Sequence, residues 1–266
     1  MTQLTAPANV IVFGETGAGK SSLINLIVGK DVAEISSKAM GCTFESKSYE
    51  VEVKGIPLVL WDTSGLNEGE KGQVAAKKAI GQVYHLIQSM ENNGVSLLVF
   101  CVRGPRITET TIKNYQLFYS TFCLAKVPIA LVVTGLENEE PMDAWWPENK
   151  DAFDNQGMMF HGHACITATK GKIKEGRYIH EEEFEESRVK VRKLIVDTRA
   201  TQPWRMNRVH WFIATVKQIG RAINGMLGFS LFDCSQSVYE LLKHHAGFSD
   251  KELRAAADEI GKNEAA

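Results

Sequence analysis

Gly14-Glu15-Thr16-Gly17-Ala18-Gly19-Lys20-Ser21 is the stretch that decides the fold of this 266-residue chain. It is a complete G-x-x-x-x-G-K-S loop, and its flanks make it more than a string match. Residues 9–13 before it form a short apolar run, and Lys20–Val28 carries Leu23, Ile24, Ile27 and Val28 at helical spacing. A strand, a glycine loop and a helix in that order bring free backbone N–H groups and the positive end of a helix dipole to one point. Such a loop cradles a phosphate chain. Lys20 is expected to reach the β- and γ-phosphates and Ser21 to ligate Mg²⁺. Gly14, Glu15, Thr16, Gly17, Ala18, Gly19 and the adjacent Ser22 are expected to line the same phosphates.

Two further stretches extend this chemistry. Asp62-Thr63-Ser64-Gly65 closes the apolar run at 56–61, so the Asp62 carboxylate emerges at the C-terminal end of a strand, beside the loop, where it suits Mg²⁺ held directly or through water. Gly65 would offer its amide to the γ-phosphate. Thr43 lies in the irregular stretch before the strand at Lys47–Val53 and is expected to complete the Mg²⁺ shell and sense the γ-phosphate, with Ser36, Ser37, Ser46 and Thr63 as competitors. Ser21, Thr43 and Asp62 are therefore the expected metal ligands, and Lys20, Thr43 and Gly65 the residues expected to act at the γ-phosphate.

The rest of the chain supplies a scaffold of the right class. Lys47–Val53 alternates Tyr49, Val51 and Val53 with Glu50 and Glu52 as a half-buried edge strand does, and Lys54-Gly55 turns it into the buried run that follows. Buried-strand runs recur at 95–102, 127–133 and 164–167, separated by helical stretches near 72–92, 106–124 and 139–157. Alternating strands and helices predict an α/β fold of three layers, a mostly parallel sheet with one antiparallel edge strand. The strand signal stops near residue 175. The division expected is 1–175 for the nucleotide-binding domain and 176–266 for a helical C-terminal extension, with an amphipathic helix at 205–227 and a last helix opened by Ser249.

Hydrophobic residues at 44% and charged residues at 23% describe a soluble globular chain, and a net charge of −2 provides no global field for nucleic acid or anionic lipid. Five cysteines without a Cys-x-x-Cys pair fit a reducing compartment. Secretory, myristoylation and prenylation signals are absent, and no run reaches the roughly 20 apolar residues that span a bilayer. A cytoplasmic location is expected. The helix at 205–227 packs on its own domain, contacts a partner, or rests on a membrane surface, the last being thinly supported by its two basic residues.

The three phosphate-site stretches, in their order, resemble the Ras-like P-loop GTPase superfamily over roughly residues 8–172. The nearest likeness is to the branch holding septins, chloroplast import-receptor GTPases and immunity-associated GTPases. Val102-Arg103-Gly104-Pro105-Arg106-Ile107-Thr108-Glu109 is similar to the box of the immunity-associated family. The resemblance implies a G domain that binds GTP or GDP with Mg²⁺ and hydrolyses GTP slowly as a switch or assembly module, with homodimerisation through the G domain. It also implies a base-recognition motif at Thr134-Gly135-Leu136-Glu137, where Glu137 takes the place of an aspartate and Gly135 that of a lysine. Glu137 then accepts two guanine hydrogen bonds, the alternative being a solvated loop acid beside Glu139 and Glu140. Thr167-Ala168-Thr169 corresponds to the family's second base loop. Trp145 and Trp146 stack on the base or anchor their loop, the anchor being favoured. Leu66 stands where Ras carries its water-orienting glutamine, so a group from elsewhere, such as Glu68, Arg106 or a partner's arginine, would be needed for rapid turnover. The other readings are a nucleotide-binding scaffold with negligible turnover and an ATP-using P-loop enzyme. His161 and His163 are read as polar strand-end residues rather than metal ligands.

Overall fold

The computed structural model describes residues 6–33, 47–63, 86, 89–90, 93–104 and 107–205. Within them a six-stranded sheet runs in the order β2-β3-β1-β4-β5-β6. Its strands are β1 (Ala8–Phe13), β2 (Lys47–Val53), β3 (Ile56–Asp62), β4 (Leu97–Arg103), β5 (Ile129–Thr134) and β6 (Gly162–Cys165). All neighbours pair in parallel except β2 with β3, which forms the antiparallel edge that Lys54-Gly55 turns. β4 and β5 are near-continuous apolar runs because each is covered on both faces.

The helices lie on both sides of this sheet. α1 (Lys20–Val28) and α4 (Glu181–Thr198) share one core with Val10, Val12, Val99 and Val132. Val191 and Ile195 of α4 are fully buried there, so this helix, which the sequence assigns to the extension, packs on the same sheet as the phosphate loop. The opposite face carries α2 (Glu109–Tyr115), a π-helical turn (Gln116–Phe122), a 3₁₀ turn (Met142–Ala144) and α3 (Trp145–Asp154). Its core is aromatic: Phe13 stacks on Phe100 and Phe118, with ring centroids 4.8 and 4.4 Å apart.

Three expectations need correction. The last strand is Gly162–Cys165 rather than 164–167, which leaves Thr167 in the turn beyond it. The helical stretch near 106–124 is α2 followed by the wider π turn, and the one near 139–157 contracts to the 3₁₀ turn and α3. Strand structure also continues past 175, because β7 (Ile173–Lys174) and β8 (Arg177–Tyr178) form a small antiparallel hairpin. Thr43, Gly65, Leu66, Glu68, Arg106, most of the helical stretch near 72–92, and the amphipathic and last helices lie outside the described residues. Among the described residues no helix is long and apolar enough to cross a membrane.

Candidate functional site

The site lies at the C-terminal edge of the parallel strands, where ligands bind in open α/β sheets because loops and helix N-termini converge there. β1 ends at Phe13 and the phosphate loop begins at Gly14, with φ +149°. A Cβ at that position would stand 2.0 Å from the Cys101 carbonyl oxygen on the next strand, so only glycine lets the chain turn this tightly. The loop then enters α1 at Gly19, whose own conformation is left-handed and which carries no side-chain cap. The first N–H groups of α1 are thus left for a ligand.

The loop is held from beneath and from one side. The Ala18 carbonyl accepts from the Thr134 hydroxyl at 2.7 Å and from the Cys101 thiol at 3.1 Å. Burial pushes that thiol up to about 12, with the Lys20 ammonium pulling the other way and Asp62 adding slightly to the rise, so it stays protonated as a donor. On the side, the Glu15 carboxylate accepts from the hydroxyls of Thr108 and Thr111. These two threonines also cap α2, each hydroxyl accepting from the other's backbone N–H at 3.1 Å. Thr134→Val keeps the shape and deletes the donor. It is expected to lower stability by about 1 kcal/mol, because Cys101 still serves the carbonyl. Urea unfolding reads this, and an unchanged midpoint would show the bond to be idle.

Lys20 is only 6% exposed, and its ammonium donates to the carbonyls of Gly14 and Glu15 at 3.0 and 2.9 Å. This curls the side chain back over the loop. The Ser21 hydroxyl lies 3.4 Å from Asp62 Oδ2, donating to it. Asp62 is the buried last residue of β3, brought beside α1 by the register that pairs it with Val12. A hydroxyl and a carboxylate facing each other at the end of a phosphate loop are hard oxygen donors of the kind Mg²⁺ prefers, so these two residues fit that ion. The competitor Thr63 is engaged elsewhere, donating its hydroxyl to the Val12 carbonyl at 3.0 Å.

A second cluster sits at the ends of β5 and β6. The Glu137 carboxylate accepts from the Thr167 hydroxyl at 3.2 Å, with the Thr169 carbonyl at 3.1 Å a competing acceptor for the same proton. The Thr167 N–H donates to the Ser187 hydroxyl at 3.1 Å, and that hydroxyl in turn donates to the Glu183 carbonyl one turn back on α4. Thr134, Glu137, Thr167 and, between the last and Thr169, Ala168 are therefore brought to one edge with the phosphate loop. Trp145 and Trp146 are not. Trp145 is buried beside Phe153, and Trp146 stacks on His163 at 4.6 Å. His161 Nδ1 accepts from the Ile129 N–H. Sequence reasoning missed Cys101, Thr108 and Thr111 as loop supports. Thr108 lay within the quoted box, but nothing in the sequence pairs it with Glu15, 93 residues away.

Residues 9–134 match the family described as 50S ribosome-binding GTPase. The mitochondrial tRNA modification GTPase mss1 of Schizosaccharomyces pombe is 39% identical over 130 residues, 48% of this chain and 25% of that protein. The tRNA modification GTPase MnmE of Brucella ovis is 43% identical over 60 residues, 23% of this chain and 13% of that protein. The chain thus spans a quarter or less of the length of these curated relatives. Among solved structures, Era in complex with MgGDPNP and a segment of 16S ribosomal RNA superposes with a TM-score of 0.52 at 18% identity, covering 79% of this chain and 66% of that one. A dimerization-deficient Toc33 from Arabidopsis thaliana gives 0.51 at 16% identity over 73% of this chain and 88% of that one. At these identities the structures speak to fold, and the fold is the one the strand order and phosphate loop define. Residues 9–134 are thus similar to a P-loop GTPase domain, on a fold shared with G domains.

Proposed function

We propose that the protein binds GTP and GDP with Mg²⁺ and works as a nucleotide-dependent switch or assembly module that hydrolyses GTP slowly. The observation that carries this reading is the convergence of two clusters on one sheet edge: Lys20, Ser21 and Asp62 for a metal-bound phosphate chain, and Glu137 with the Thr167 turn for a base edge. Lys20 and the α1 N-terminus neutralise phosphate charge, and Thr134 keeps the loop seated. Ser21 and Asp62, with Thr43 added, would hold Mg²⁺, which would supply positive charge at the phosphates. Gly65 donates its amide to the γ-phosphate. Buried free thiols at Cys101, Cys123 and Cys165 fit action in a reducing cytoplasm.

Leu66 supports slow turnover, since leucine cannot polarise water. A second copy joined through the G domain supplies the missing group. Single-turnover hydrolysis of γ-labelled GTP, run over a wide range of protein concentration, tests both parts. The expected rate at low concentration is on the order of 10⁻³ s⁻¹ or slower, as for an unassisted G domain, and it rises as the protein self-associates. A slow rate independent of concentration removes the dimer. Tight binding with no phosphate release at any concentration replaces the switch with a scaffold whose bound state alone matters.

A further inference from the structure

We propose that Arg103 is a nucleotide-binding residue whose flat guanidinium covers one face of the bound purine, raising affinity for the base without choosing it. The inference rests on the base site proposed above. Glu137 and the Thr167 turn address the edge of a base, and a base also needs a surface against its face. The two indoles nearest in sequence are committed to the core and to His163.

Arg103 ends β4, paired in register with Thr134, the residue that holds the Ala18 carbonyl. Gly135 follows Thr134 with φ +80°, and a Cβ there would stand 3.4, 3.5 and 3.6 Å from Arg103 Cγ, Nε and Cζ. The arginine side chain therefore runs along the bare backbone of the turn that presents Glu137. Its residue also lines a cavity of about 260 Å³ together with Glu15, Thr16, Gly17 and Ala18 of the phosphate loop. Gly135 leaves room that a side chain would fill, and the group occupying its border is planar, cationic and exposed. Among the described residues no carboxylate forms an ion pair with it. Solvation alone does not account for the Arg103 side chain lying along Gly135 at the rim of the phosphate loop. Guanidinium stacks on any purine, so its contribution is blind to the base.

Calorimetric titration of the full chain with Mg-GDP, Mg-GTP and Mg-ATP separates the roles. Arg103→Ala is expected to weaken GDP and GTP equally, by about tenfold, equivalent to about 1.4 kcal/mol. The ratio of GTP to ATP affinity stays as in the wild type, and Arg103→Lys, which keeps the charge and loses the plane, recovers only part of the loss. Thermal melting of the exposed-site variants stays at the wild-type midpoint. Unchanged affinity in Arg103→Ala overturns the proposal, as does a loss confined to GTP, which would place the arginine at the γ-phosphate, or full rescue by lysine, which would make charge alone sufficient. If the wild type binds ATP in preference to GTP, the guanine reading falls, and the ATP titration still tests Arg103 because stacking is base-blind. Failure of the wild type to bind any of the three overturns both.

Discussion

Lys20→Ala is expected to abolish tight Mg-nucleotide binding while leaving the fold intact. The ammonium is nearly buried and, among the described residues, donates to the loop's own carbonyls of Gly14 and Glu15, both neutral acceptors. Removing it therefore breaks no buried ion pair within the loop, and the apolar packing of α1 on the sheet through Leu23, Ile24 and Ile27 is untouched. For the nucleotide the loss is large. Two charge-assisted hydrogen bonds to phosphate, each worth roughly 1.5–3 kcal/mol, disappear from a sheltered site. At about 1.4 kcal/mol per decade, affinity falls by roughly two to four orders of magnitude. Calorimetry of wild type and variant, with circular dichroism as the fold control, makes the measurement. A variant that folds and keeps wild-type affinity would remove the phosphate loop from the site.

Glu137→Ala is expected to remove base discrimination and to cut GTP affinity by at least tenfold. Its carboxylate already accepts one bond from Thr167, and a carboxylate has about four acceptor positions, so guanine N1–H and the 2-amino group can be taken without giving that bond up. The hydroxyl fixes the direction of the acid, since Thr167 is itself fully buried and tied through its N–H to Ser187. Two charge-assisted bonds at roughly 1.5–3 kcal/mol each exceed the 1.4 kcal/mol that one decade requires. ATP offers neither donor, so its affinity holds or rises in the variant. Inosine triphosphate keeps N1–H and lacks the amine, so it should fall between the two with wild-type protein. Retention of the GTP preference by Glu137→Ala would make Glu137 a bystander and pass base choice to the backbone near Ala168.

The sheet was legible because its strands announce themselves by period. β2 begins and ends where the alternation of Tyr49, Val51 and Val53 does, and β3 extends the predicted run by one residue, Asp62. β6 was displaced because Gly162 and His163 carry no apolar signal, while Ile166 and Thr167, just past the strand, are buried and read as part of it. The β7–β8 hairpin was invisible for the opposite reason: two-residue strands with exposed side chains bury nothing and leave no pattern. At the site, the phosphate loop was readable because a local run of glycines and one lysine encodes it. Its supports were not. Cys101, Thr111 and Thr134 reach it from 83, 96 and 116 residues away, and a lone cysteine or threonine carries no mark of the carbonyl or carboxylate it will meet.

Those supports change what happens when a ligand arrives. A glycine loop without them would sample many shapes, and each binding event would have to freeze it, at about 1–2 kcal/mol of backbone entropy per residue. Here the Thr134 hydroxyl and Cys101 thiol grip one carbonyl, and Glu15 is clamped to the cap of α2, before any ligand enters. The folding of the sheet has already met the ordering cost, so preorganisation appears as tighter binding rather than as a slow closing step. Because the clamp runs through Glu15 into the Thr108–Thr111 cap, the shape of the phosphate loop and the start of α2 are set together, and loosening either threonine would return part of the ordering cost to the binding step.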